Sequence, residues 1–290
     1  MRQSGFALAF GDSQPHDWEQ RNAMSDNRPI PKLIEKPDLP NKPLVEAILD
    51  VRWALTARDN AKHDPHYKLL VGSYYTKIRS EYPEHVQKPE AMIPDEVIPY
   101  IPQHQFRAAA NEWPLIQLGP GILTVNDTQK YTWCDFRERA CRAIAALFDA
   151  YPNTTDLRIS SVLLKYIDAV AFDYVAGDAF AFLKGKMGIT IEFPQRLFDA
   201  IPADASPQRF NMTAAFRCNN PQGAFSVKFA TGLKDGARAL IWETSMETSD
   251  SDVPRSPREI ATWLDQAHVI THNSFFKLVE GELERSFRNG

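Results

Sequence analysis

Hydrophobic and polar positions alternate with period two over residues 45–55. Val45, Ala47, Leu49, Val51, Trp53 and Leu55 stand against Glu46, Asp50 and Arg52, which predicts a strand with one buried and one mostly wet face. The period then changes. Tyr67, Leu70, Val71, Tyr74, Tyr75 and Ile78 recur at three and four, predicting a helix over 65–81 that Pro83 ends. Five prolines over 83–103 (Pro83, Pro89, Pro94, Pro99 and Pro102) predict a loop. Two strands are then predicted, 106–113 leading into 115–118 as the first and 122–125 as the second, joined at Gly119-Pro120-Gly121. Phe136, Ala140, Ile144, Leu147 and Phe148 form the stripe of a helix over 132–150.

The second half repeats the scheme. A long strand is expected over 157–172, with Val162, Leu164 and Tyr166 on one face and Leu163, Lys165 and Ile167 on the other. A short helix over 177–186 follows. Phe210, Met212, Ala214, Phe216 and Cys218 then alternate with Arg209, Asn211, Thr213 and Arg217. Turns at 219–223 and 234–236 separate two more strands. Ser256 caps a long last helix, with Pro257 at its first position and Glu259 at its third. The order is β-α-β-β-α and then β-α-β-β-β-α. It predicts an α+β fold of two pseudo-repeated β-α-β-β-α units with mainly antiparallel sheets and helices on one face. The expected divisions are 1–43, 44–153 and 154–290. Residues 1–23 carry no periodicity and are expected to be disordered or untranslated, with Met24 the natural start. Residues 25–43 read as an extended arm. Two sheets side by side would leave a cleft between the halves, where a ligand or partner is expected.

Composition adds bounds. A chain of 290 residues with 43% hydrophobic content can bury a sizeable core, and its net charge of −4 removes the global basic field of a generic nucleic-acid binder. No apolar run reaches the length of a membrane span. Cys134, Cys141 and Cys218 form no CxxC pair and suit a reducing cytoplasm. Cys134 and Cys141 are read as buried small hydrophobes, and Trp53, Trp113, Trp133, Trp242 and Trp263 as core anchors.

The candidate chemistry is thin. His268 and His272 are four apart on the last helix and are the only weak metal candidates, with Asp265 a third ligand to consider. Val269 occupies the place where a metalloprotease helix carries Glu, so that motif fails. Packing and hydrogen bonding is the preferred reading of the pair. Gly119-Pro120-Gly121 lacks the phosphate-loop pattern, and Ser73, Ser160 and Ser161 sit in no nucleophile context. Glu46, Asp50 and Arg52 lie on the wet side of the first strand. Asp168 lies across the pseudo-repeat from Asp50, near Lys165. Arg209, Arg217, Lys228 and Arg238 mark a basic sheet face.

Several segments carry a resemblance: 42–53 (KPLVEAILDVRW), 113–126 (WPLIQLGPGILTVN), 131–133 (YTW), 164–168 (LKYID), and Trp263, His268 and Phe275 in the last helix. In this order the chain resembles a sporadically distributed family of uncharacterised bacterial proteins. The family tends toward Arg-Tyr-Ile-Asn where this chain has Lys165-Tyr166-Ile167-Asp168. The resemblance implies no established activity or cofactor; its patchy distribution implies a mobile or defence-associated setting.

Three functions are expected, in order. The first is a cytoplasmic, non-catalytic binding or assembly protein, forming a homo-oligomer or a complex with a protein encoded nearby. The second is an enzyme or small-ligand sensor, with Asp50, Arg52, Lys165, Tyr166, Asp168 and His268 as ligand-binding residues. The third is a nucleic-acid-binding component. No catalytic residue, cofactor or membrane partner is assigned.

Overall fold

Strand β1 (Leu44–Trp53) lies in the middle of the molecule, which a computed structural model describes over residues 29–36, 38–58, 61–128 and 130–289. The expectation for residues 1–23 lies outside the described residues. After β1 come the small hairpin β2 (Thr56–Arg58) and β3 (Ala61–His63), helix α1 (Tyr67–Ile78), and strands β4 (Glu84–Gln87), β5 (His104–Arg107), β6 (Leu115–Gly119) and β7 (Ile122–Asp127). Helix α2 (Trp133–Ala150) ends the first half. The second half runs β8 (Ile159–Ala171), α3 (Ala179–Met187), α4 (Gln195–Asp199), β9 (Asn211–Asn219), β10 (Gln222–Lys234), β11 (Ala237–Ser249), α5 (Pro257–Leu278) and α6 (Glu282–Asn289).

Nine strands form one antiparallel sheet in the order β4-β5-β6-β7-β1-β8-β11-β10-β9. The fold is α+β, as expected. The expected pair of separate sheets is corrected: β1 and β8 hydrogen-bond to each other along most of their length, so the halves share one sheet and no cleft parts them. The strand signals at 45–55 and 157–172 each read as a sheet of their own because period two marks faces, not neighbours. The expected loop over 83–103 contains β4, whose residues are all exposed and so show no alternation.

Strand alternation sorts the sheet into two faces. Ala47, Leu49, Val51 and Trp53 of β1, with Leu123 and Val125 of β7 and Val162 and Leu164 of β8, are buried beneath the helices. Tyr74 of α1 packs on Phe106 and donates its hydroxyl to the Ala143 carbonyl of α2, which locks these two helices together. Thr132 accepts from the Asp135 amide to cap α2, and Ser256 accepts from the Glu259 amide to cap α5, the latter as expected. A second core cluster joins Leu183 and Met187 of α3, Phe229, Leu240 and Trp242 of the sheet, Phe276 of α5, and Leu283 and Phe287 of α6. The expected single last helix breaks after Leu278, where Gly281 with φ +114° turns the chain into α6.

The opposite sheet face is polar. Thr124 donates to Asn126, and Asn126 donates to Glu46; Arg52 pairs with Asp50 and Lys228 with Glu243. The described residues preceding β1, 29–36 and 38–43, form no helix or strand, and they are docked. The Ile34 amide donates to Asn273 Oδ1 (2.8 Å), Asn273 donates to the Lys32 carbonyl, Lys36 pairs with Glu284, and the Asn41 amide donates to the Phe287 carbonyl. The arm therefore runs across α5 and α6, with Leu39 joining the second core cluster.

Candidate functional site

A cavity of about 240 Å³ opens where the two core clusters meet beneath the arm. Four elements build it. The arm contributes Leu33 and Leu39. The start of α2 brings Tyr131 and Trp133, held there by the Thr132 cap and by Lys42, which donates to the Tyr131 carbonyl. Strand β8 supplies Tyr166 and Asp168, which alternation turns to the helix side. Helix α5 presents His268, Thr271, His272, Phe275 and Phe276, spaced so that they form one stripe. A register shift between Leu44 and Glu46 of β1 sets Leu44 opposite Asp168, so Leu44 also faces the cavity.

The polar groups in and beside the cavity fall into two sets. The first is a satisfied chain. The Tyr131 and Tyr166 hydroxyls are 2.7 Å apart, and Tyr166 Oη is 3.0 Å from His268 Nδ1. The His268 ring stacks on Trp133 with centroids 3.7 Å apart and planes within 5°. Burial, with His272 nearby, pushes the imidazole down to about 3, so it is neutral at physiological pH. Burial likewise pushes both tyrosines well above their ordinary value.

The second set is unsatisfied. Asp168 is 2% exposed, and among the described residues its Oδ2 has no hydrogen-bond partner; nor do Trp242 Nε1 and Thr244 Oγ1 on the neighbouring strand β11. Trp242 is the direct register partner of Asp168, and Thr244 of Tyr166. Burial raises the Asp168 carboxyl from 3.8 to about 8, with Lys234 pulling weakly the other way. Buried polar atoms without partners are rare in folded proteins, so three on adjacent strands mark an unusual place.

The six expected site residues separate by face. Tyr166, Asp168 and His268 meet at the cavity. Asp50, Arg52 and Lys165 lie on the polar face, away from it. There Lys165 is close enough to Asp50 and Glu46 to lower their carboxyl pKa values, although burial raises both overall. The expected meeting of Asp50 with Asp168 is thus corrected, because the two belong to opposite faces of adjoining strands. Leu33, Leu39, Leu44, Trp133, Thr271 and Phe275 were not anticipated as site residues. For the arm, Leu33 and Leu39, two of its four aliphatic side chains with Ile30 and Ile34, were the available signal in an otherwise polar, proline-rich stretch.

Other expectations also change. Asp265 turns outward to a two-point ion pair with Arg137 (2.7 Å at Arg137 Nη2), so it does not accompany the histidines. His272 Nε2 is 3.0 Å from the Ile34 carbonyl, and among the described residues no group of three or more His, Cys, Asp or Glu could hold a metal ion. Cys134 is exposed and Cys141 half-buried. Trp53, Trp242 and Trp263 are buried, whereas Trp113 is 40% exposed beneath Arg107 and Trp133 walls the cavity. Lys228 and Arg238 of the basic set are both ion-paired. No described helix is long and apolar enough to cross a membrane. No family model and no curated protein matches this chain.

Proposed function

We propose that this protein is a non-catalytic small-ligand-binding protein whose ligand occupies the cavity beneath the arm. The observation that carries the proposal is the buried Asp168 carboxyl, whose Oδ2 has no partner among the described residues, in the lining of a cavity with mostly apolar and aromatic walls. A few polar groups set in an apolar concavity are the usual composition of a ligand site. Binding is favoured over catalysis by the protonation states. The neutral His268 and the tyrosines titrate far from neutral pH, and Asp168, raised to about 8, has among the described residues no hydrogen-bonded nucleophile at Oδ2. A cavity near 150 Å³ holds benzene, so about 240 Å³ suits a molecule of roughly ten non-hydrogen atoms.

The test is thermal unfolding of the full chain with 2-phenylethanol, indole and 1-octanol, beside a Thr271→Phe variant that puts a ring inside the cavity. A saturable rise in Tm for the native chain, lost in the variant, is expected. A flat response to all three compounds would overturn the reading.

We further infer that the halves are a structural repeat and that the chain belongs to the family it resembles. Strand order supports the first inference. Outward from the β1/β8 pair, β7, β6 and β5 match β11, β10 and β9, and each half closes with a helix. The second is supported by the convergence of Lys42-Pro43, Tyr131-Thr132-Trp133, Tyr166, His268 and Phe275 on one cavity. Assembly with a second copy or another protein is a second reading. It is favoured by β9, which is an outermost strand carrying Phe216 at 53% exposure. Light scattering tests it, and a monomer across the micromolar range would refute the self-association form. The free thiols of Cys134, Cys141 and Cys218 support a cytoplasmic setting.

A further inference from the structure

We propose that the ligand of this cavity is an organic cation, a small aromatic or alkyl molecule bearing an ammonium group, with Asp168 as its counter-ion. This rests on the reading of the cavity as a ligand site. It goes further in naming the charge and the residue that selects it.

The geometry separates an acidic floor from aromatic walls. Asp168 lines the same space as Tyr131, Trp133, Tyr166, Phe275 and Phe276, and among the described residues its Oδ2 has no hydrogen-bond partner. No cationic side chain answers it from within. The arm faces it with Lys36, Asp38 and Lys42. Lys36 is held by Glu284, and Lys42 is engaged by the Tyr131 carbonyl and Asp38. Helix α5 faces it with His268, neutral and committed to Tyr166, and with His272, committed to the Ile34 carbonyl. Tyr131 and Tyr166 hydrogen-bond to each other, and Lys234 acts only from a distance. A buried carboxylate without a partner is costly, and an incoming cation with N–H donors removes that cost. Aromatic faces attract the same charge through their quadrupoles, most strongly where water is excluded. Where Asp168 is ionised, an anionic ligand would meet its charge in the cavity, and a neutral one would leave the carboxylate without a counter-ion.

The carboxyl's raised pKa of about 8 adds a signature. An alkylammonium stays charged to about pH 10. Only the ionised fraction of Asp168 is competent to pair with it, so apparent affinity follows that fraction. The cation should bind roughly tenfold more tightly per pH unit between pH 6 and 8, then level off, releasing a proton as it binds.

The test is calorimetric titration of the full chain with phenethylammonium and with its neutral counterpart 2-phenylethanol, at pH 6, 7, 8 and 9. The native chain and Asp168→Asn are compared. The expected result is a preference of at least about tenfold for the ammonium at pH 9, growing from pH 6 to 8. The preference should be lost in Asp168→Asn, which still binds the alcohol and so shows an intact cavity. Equal binding of both compounds by the native chain, or a preference that survives in Asp168→Asn, overturns the cation assignment and leaves the ligand site standing. Binding of neither compound overturns both.

Discussion

Replacing Asp168 by Asn should stabilise the protein, and by an amount that grows with pH. Burial raises the carboxyl from 3.8 to about 8 in the folded chain. The folded state therefore holds the proton more tightly than the unfolded state, and unfolding releases it anywhere between those two values. Stability falls as pH rises through that window and is flat above about 8. Each pH unit in the window is worth about 1.4 kcal/mol, so the difference between Asp and Asn should widen by about 4 kcal/mol from pH 5 to pH 8. This is an upper limit, since local opening of the arm would hydrate the carboxylate before the core unfolds. His268 acts in the opposite sense on the acid side. Its pKa is lowered to about 3, so its contribution is lost as pH falls from 6.5 towards 3. His268 is present in both proteins and cancels in the comparison. The assay is urea unfolding of both proteins at pH 5, 6, 7 and 8. Parallel stability curves would refute the assignment of Asp168 as a buried, uncompensated acid.

Three further outcomes are expected. Asp64→Ala should destabilise by about 2–4 kcal/mol in denaturant unfolding at pH 7. Asp64 accepts from Trp53 Nε1 (2.8 Å), the Tyr151 hydroxyl (2.9 Å) and the His66 amide (2.9 Å), all of which lose their acceptor; a cost below about 0.5 kcal/mol would contradict this network. Gly119→Ala should cost upwards of about 2 kcal/mol, measured the same way, because a Cβ there would lie 2.1 Å from the Ile101 carbonyl oxygen; an unchanged midpoint would refute that close approach. His268→Phe keeps a ring on Trp133 and removes only the bond to Tyr166, so it should cost about 1 kcal/mol, far less than His268→Ala in the same assay.

The sequence made the framework legible where one face of an element is buried and the other is wet. β1 declares itself because Leu49 and Val51 alternate with Asp50 and Arg52, and α5 because Ser256, Pro257 and Glu259 mark its start. β4 was invisible because all four of its residues are exposed; only its pairing with β5 makes it a strand. That β1 and β8 adjoin was equally hidden, since alternation carries no information about which strand lies next door. Half of the candidate site was legible for the same reason. Tyr166, Asp168 and His268 stand out as polar groups in apolar elements, while Asp50, Arg52 and Lys165 stand out equally and face the other way. The cavity itself could not be foreseen, because its roof is an arm held mainly through backbone groups such as the Ile34 amide and carbonyl.

The arm meets α5 across a sequence separation of 238 residues, at His272 and Ile34. The arm is therefore made more than two hundred residues before the α5 side of the cavity, so a growing chain has no site until α5 has emerged. Holding together the ends of a loop that long costs about 5 kcal/mol of chain entropy. A molecule wedged between Leu39 and Phe275 shares that cost and acts as a reversible clasp, much as a disulfide would by covalent means. Occupancy would then report that the arm and α5 have met, and removing the arm would release the ligand while the core between α5 and the central sheet still stands.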